Sequence, residues 1–99
     1  MRAAAGRARA LLKVLSNPDR MLLLCKLAEG ERNVGELEAA LGIVQPTLSQ
    51  QLGVLRDEGM VQTRREGKQV FYTISSPEAL AVMRTLYDLY CPKPEGETP

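Results

Sequence analysis

The residues from Val34 to Glu58, VGELEAALGIVQPTLSQQLGVLRDE, narrow what this chain can fold into more than any other stretch. Leu37 and Leu41 give Val34–Leu41 an apolar stripe at helical spacing. Asn33 stands where an N-cap is needed, and Glu36, three residues on, completes a capping box. Gly42 ends the helix, because glycine enters the left-handed conformation without a steric penalty. Pro46 restarts the chain as a first-turn residue, where its missing N–H is harmless. A second helix then runs to about Glu58, with Leu48, Leu52 and Leu55 forming one inward face. Its outward face opens with Gln45, Thr47, Ser49 and Gln50, uncharged and rich in hydrogen-bonding groups. Two helices joined by a tight glycine-containing turn, the second presenting amides and hydroxyls, predict a DNA-binding helix-turn-helix. On these residues alone, an ordinary helical hairpin with a solvated polar face competes with that reading.

After Gly59 the period changes from helical to two. Met60–Arg65 and Gln69–Ile74 are two strands, separated by Glu66-Gly67-Lys68. Val70, Tyr72 and Ile74 alternate with Gln69, Phe71 and Thr73, and β-branched and aromatic residues dominate. Two strands around a glycine turn make a hairpin. Arg64, Arg65 and Lys68 give it a cationic tip, which suits contacts to DNA phosphates as the wing of a winged helix. A competing reading is that these charges only keep an edge strand soluble. The helix pair and the hairpin together favour DNA.

Upstream, Ala3–Leu15 predicts a helix with Leu11, Leu12 and Leu15 as its contacts. Asn17 caps the next helix and Pro18 takes its first position. That helix, Pro18–Glu29, contains MLLLCKLA and is apolar on nearly every side, which predicts burial in the middle of the domain. Downstream, Pro77–Tyr90 predicts the last helix. Leu80, Met83, Tyr87 and Tyr90 form one apolar stripe, and Val82, Leu86 and Leu89 form an adjacent one. Together they cover roughly 200° of the helix, about twice a usual buried face. A chain of 99 residues has too little core for that, so one stripe is expected to pack on a second copy. Residues 1–91 thus read as one domain, and Pro92–Pro99, with three prolines and two glutamates, as a disordered tail.

Composition bounds the function. With 44% hydrophobic and 25% charged residues the chain reads as an ordinary soluble globule. No apolar run approaches the roughly 20 residues that span a bilayer. The basic start, MRAAAGRARALL, lacks the apolar core of a signal peptide. A cytoplasmic location follows as the expectation, with Cys25 and Cys91 as thiols. The net charge of +1 hides local patches: residues 1–20 carry five cations against Asp19. An anionic partner would have to meet such patches, because the global field is weak. The chain has no histidine, no Gly-rich phosphate loop and no carboxylate pair at a recognisable spacing, which argues against an enzyme.

The order of these elements, with LSNPDRMLLLCKL, then VGELEAALGIVQPTLSQQLGVLRDEGMVQTRREGKQVFY and a closing helix, resembles the ArsR/SmtB family of winged-helix repressors over residues 8–91. The resemblance implies a mainly α fold with a small β-hairpin, in the order α-α-α-α-β-β-α, and a homodimer built through the first and last helices. It also implies repression of a double-stranded operator, relieved by metal binding or chemical modification. By position, Gln45, Thr47, Ser49, Gln50 and Arg56 fall in or beside the recognition helix, and Arg64, Arg65 and Lys68 fall on the wing. Two subunits reading successive major grooves imply an imperfect palindrome. Gln45 and Gln50 suit bidentate contacts to adenine.

The chain departs from the metal-sensing members. Their thiolate site lies on the helix Val34–Leu41, which here has no cysteine. Their second site, on the last helix, uses histidine, which this chain lacks. Cys25 and Cys91 instead resemble the pair of the persulfide-sensing branch, which includes biofilm-growth-associated and sulfide-responsive repressors. Persulfides or polysulfides are then the implied inducers, with no cofactor required. Taken singly, Cys25 reads as a small buried hydrophobe and Cys91 as an exposed thiol. As a pair they allow more. A disulfide needs Cα atoms within about 7 Å. An inserted sulfur relaxes that limit, so a pair set slightly too far apart accepts a polysulfide bridge while resisting direct oxidation. A thiophilic metal, an arsenical or haem at Cys91 or Cys25 is the alternative. Two soft ligands suit Cu(I), and Cys91-Pro92 has the form of a haem-ligating dipeptide.

Overall fold

Leucines from three helices meet at the centre of the molecule. The elements run α1 (Arg2–Leu15), α2 (Pro18–Leu27), β1 (Arg32–Asn33), α3 (Val34–Leu41), α4 (Thr47–Asp57), β2 (Val61–Glu66), β3 (Gln69–Ile74) and α5 (Pro77–Tyr90) in the computed structural model, which describes residues 1–90. Cys91 and the tail Pro92–Pro99 lie outside the described residues. Leu23 and Leu24 of α2, Leu37 of α3, and Leu48, Leu52 and Leu55 of α4 are fully buried, with Met83 of α5 against them. This is the winged helix-turn-helix arrangement that the sequence order implies.

The helix boundaries follow from local chemistry. The Asn17 side chain accepts from the Arg20 N–H at 3.0 Å, with Pro18 in the first position of α2. Asn33 caps α3 as expected: its Oδ1 accepts from the Glu36 N–H at 2.8 Å, and the Glu36 carboxylate accepts from the Asn33 N–H at 2.9 Å. Gly42 closes α3 in the left-handed region, at φ 67°.

Some expectations need correction. Helix α2 ends at Leu27, not Glu29, because the chain tightens into a turn in which the Gly30 N–H reaches the Leu27 carbonyl. Pro46 is not in the first turn of α4 but stands just before it as the N-cap residue. Nor is α2 buried all round: Met21 and Leu22 are exposed. In α1, Leu15 is buried and Leu11 half-buried, but Leu12 is 62% exposed. The hairpin turns on Gly67 and Lys68 alone, with Glu66 still in β2. The sheet also has a third strand, which the sequence does not signal. The two residues of β1 pair with β3, giving the antiparallel order β1-β3-β2. Two residues are too few to show an alternating pattern.

One ion cluster fastens the wing to the body. Arg64 of β2 donates from Nε and Nη2 to both carboxylate oxygens of Glu31, at 2.8 and 2.7 Å, and from Nη1 to Glu66 at 2.6 Å. Its guanidinium also lies 4.5 Å from the ring centroid of Phe71, its cross-strand partner on β3. The hydrogen bond from Arg64, helped by its charge, holds the Glu31 carboxyl below its ordinary pKa, and the same bond raises that of Arg64. A depressed carboxylate pKa stabilises the fold fully above its unfolded value, and the benefit is lost as pH falls through the lower folded value. Glu31→Gln is therefore expected to unfold at a lower temperature than wild type at neutral pH, with the two curves converging on acidification. A gap that stays constant down to about pH 3 would contradict this. Asn33→Ala removes the α3 cap and the bond from Asn33 Nδ2 to Gln69 Oε1. It should cost about 1–2 kcal/mol in denaturant unfolding, and Asn33→Asp, which keeps the cap oxygen, should cost less.

Candidate nucleic-acid interface

The buried leucines of α4 decide which of its residues face outward. At 100° per residue, Leu48, Leu52 and Leu55 occupy one narrow sector, and Gln50 stands opposite them. Gln45, Ser49 and Gln50 are exposed at the leading end of the helix, and Thr47 is half-buried beside them. These four predicted residues are thus brought together. Arg56 is exposed in the last turn, about 9 Å along the axis beyond Gln50, and forms no part of that group.

Pro46 offers no side-chain cap to α4. Gln45 supplies one. Its Oε1 accepts from the Ser49 backbone N–H at 3.1 Å and from the Ser49 hydroxyl at 2.7 Å. The Gln45 carbonyl is therefore engaged inside the protein, and its amide N–H groups remain to face a partner. That is only half of what a bidentate adenine contact needs.

Arg20, which in the sequence is marked only by its charge, holds this helix in place. Arg20 of α2 donates from Nε to the Val14 carbonyl at 2.8 Å and from Nη1 to Gln51 Oε1 of α4 at 3.0 Å. One guanidinium thus satisfies the C-terminal end of α1 and braces the recognition helix. No spacing signal reveals such a contact, since it joins residues 31 positions apart.

On the wing, Arg65 and Lys68 are exposed, the first on β2 and the second in the turn. Arg64 is spoken for by Glu31, Glu66 and Phe71, so its charge is largely compensated within the protein. All three residues of the cationic tip are exposed, and Arg64 among them is also tied by ion pairs to Glu31 and Glu66.

Cys25 is half-buried on α2, on the side that meets α5. It lines a cleft of about 450 Å³ together with Arg84, Tyr87 and Asp88. Cys91, its predicted partner, lies outside the described residues. Among those residues no group of three His, Cys, Asp or Glu side chains is placed to hold a metal ion. No helix among them is long and apolar enough to cross a membrane.

Comparison with known proteins agrees with this architecture. The arsR family of bacterial regulatory proteins matches residues 17–63. The biofilm growth-associated repressor of Agrobacterium fabrum is 55% identical over 86 residues, which is 87% of this chain and 74% of that protein. The crystal structure of the transcriptional repressor BigR from Xylella fastidiosa superposes with a TM-score of 0.86 at 50% identity, covering 94% of this chain and 95% of that one. The solution structure of the homodimeric winged helix-turn-helix DNA-binding domain of Mb0332 from Mycobacterium bovis superposes with a TM-score of 0.75 at 30% identity, covering 89% and 82%. With sequence, element order and fold shared over most of its length, the chain belongs to the arsR family of bacterial regulatory proteins, as a winged helix-turn-helix DNA-binding regulator and not an enzyme.

Proposed function

We propose that this protein is a homodimeric repressor that releases an imperfectly palindromic operator when reactive sulfur species join Cys25 to Cys91. The observation that carries the reading is the position of Cys25. It shares a cleft with Arg84, Tyr87 and Asp88 on the last turns of α5, and Cys91 follows Asp88 by three residues in the sequence.

The dimer is supported by what α1 and α5 leave uncovered. Every residue from Met1 to Ala10 is exposed, yet an isolated helix of this length is marginal in water. Leu12, Leu89 (68% exposed) and Tyr90 (80% exposed) add apolar surface on the same two helices. An apolar groove of about 480 Å³ runs beside α1, between Ala4, Ala8, Leu11 and Met60. A second copy would cover these surfaces, as the homodimeric relative suggests. Two recognition helices would then meet successive major grooves, roughly 34–36 Å apart.

The chemistry balances with organic persulfides as the only oxidant. Each cysteine thiolate takes the outer sulfur of one persulfide and releases the carrier thiol. The outer sulfur of the Cys25 persulfide then attacks the inner sulfur of the Cys91 persulfide and expels hydrogen sulfide. A trisulfide forms, two carrier thiols leave, and the oxidising equivalents of the two sulfane sulfurs are accounted for. The bridge ties α2, which packs on α4, to the end of α5. That shifts the spacing of the two recognition helices, and coupling of about 1–3 kcal/mol is ordinary for such a switch.

Two tests follow. Arg65→Ala or Lys68→Ala should weaken binding to every duplex and lower the salt slope by about one, since each removes one phosphate contact. Arg64→Ala should lower affinity with little change in slope. Wing variants that bind as tightly as wild type across a salt titration would overturn the wing assignment. Cys25→Ser and Cys91→Ser should each bind operator like the reduced wild type and hold it under persulfide. A Cys91→Ser protein that still lets go would show that Cys25 senses alone.

A further inference from the structure

We infer that Gln45 reads guanine in the operator, and that Ser49 sets this choice by occupying the Gln45 carbonyl. The inference rests on the DNA-binding reading above and refines it. The Gln45 Oε1 lies 3.1 Å from the Ser49 backbone nitrogen and 2.7 Å from the Ser49 Oγ. A backbone N–H can only donate, so the Gln45 atom facing it is the carbonyl oxygen, and the orientation of the amide is settled by chemistry. The Ser49 hydroxyl spends its one hydrogen on the same oxygen. Both carbonyl lone pairs are then filled.

What Gln45 turns outward is a group with two donors and no acceptor. An adenine edge offers one acceptor and one donor, so it needs the carbonyl that Gln45 has committed. Cytosine offers only a donor in the major groove, and thymine one acceptor beside a methyl group. Guanine alone places two acceptors, N7 and O6, side by side. Freeing a carbonyl lone pair for adenine would break the bond from the Ser49 hydroxyl, and turning the whole amide over would also strip a first-turn N–H of α4 of its side-chain cap. Ser49 is left as the converse of Gln45. Its hydroxyl hydrogen is used and its lone pairs remain, which suits an amino group on a neighbouring base. The recognition helix therefore opens with a donor at Gln45 and an acceptor at Ser49, a pattern fixed within the protein before DNA arrives.

The test is selection of duplexes from a random-sequence library by the whole chain, repeated with Gln45→Ala, Ser49→Ala and Ser49→Thr. Each half-site selected by wild type should carry a guanine whose preference disappears with Gln45→Ala. Replacing that guanine by 7-deazaguanine, which lacks the N7 acceptor, should weaken wild type about 5-fold or more and leave Gln45→Ala unaffected. Ser49→Ala, by freeing one carbonyl lone pair, should admit adenine at the same position, and Ser49→Thr, which keeps the hydroxyl, should restore guanine. A purely structural role for the Gln45–Ser49 contact would change affinity without changing base identity. Adenine or thymine at the Gln45-dependent position of wild type, or no Gln45-dependent position at all, would overturn the inference while DNA binding stands. If wild type enriches no duplex, the DNA-binding reading fails and takes this one with it.

Discussion

The contact on which the recognition surface depends is apolar and lies behind it: Leu48, Leu52 and Leu55 of α4 packed into the leucines of α2 and α3. Full burial of a leucine side chain contributes about 1.5–3 kcal/mol. Turning α4 by one residue would expose part of that face, so the packing fixes the rotation of the helix about its axis. Gln45, Ser49 and Gln50 point outward because those leucines point inward. Arg20 reinforces the same setting by joining the end of α1 to Gln51 on the flank of α4. The outward side chains at the start of α4 are thus aimed by residues buried behind them or on its flank.

Helix α2 is the mechanical link between the two things a switchable regulator must couple. It packs on α4 on one side and on α5 on the other, and Cys25 sits at the second contact. A covalent strap from α2 to the residue after α5 would act on that contact. It changes little net charge near the DNA, so the response has to be geometric. In the proposed homodimer geometry is sufficient, because two grooves would have to be met at once and a small change at the subunit contact would displace both recognition helices. The wing answers to a different constraint. The fork of Arg64 grips Glu31, the residue just before β1, and this holds the hairpin against the body while Arg65 and Lys68 remain outward.

The fold was legible in the sequence where local rules and the global pattern agree. Asn33 with Glu36, Gly42, and the spacing of Leu48, Leu52 and Leu55 each report a local requirement, and each stands in the structure as the sequence implies. The parts that were not legible depend on contacts between distant residues. The strand β1 is defined by pairing with Phe71 and Tyr72, not by its own two residues. Arg64 reads as a phosphate ligand from composition and becomes a strut only once Glu31 is brought to it, 33 positions away in the chain. Gln45 reads as an adenine reader from residue type and becomes a donor only through its bonds to Ser49. Side-chain chemistry names what a residue can do, and its neighbours in space choose among the options.

The central claim is that one subunit senses sulfur by closing a bridge between its own two cysteines. The most direct measurement is the intact mass of the reduced protein after incubation with an organic persulfide, followed by peptide mapping of the cysteines. The expected result is a gain of one sulfur atom with the loss of two hydrogens, and a single peptide pair in which Cys25 and Cys91 of the same chain are joined. Separate adducts on the two cysteines, a bond between subunits, or a mass that gains no sulfur would contradict it.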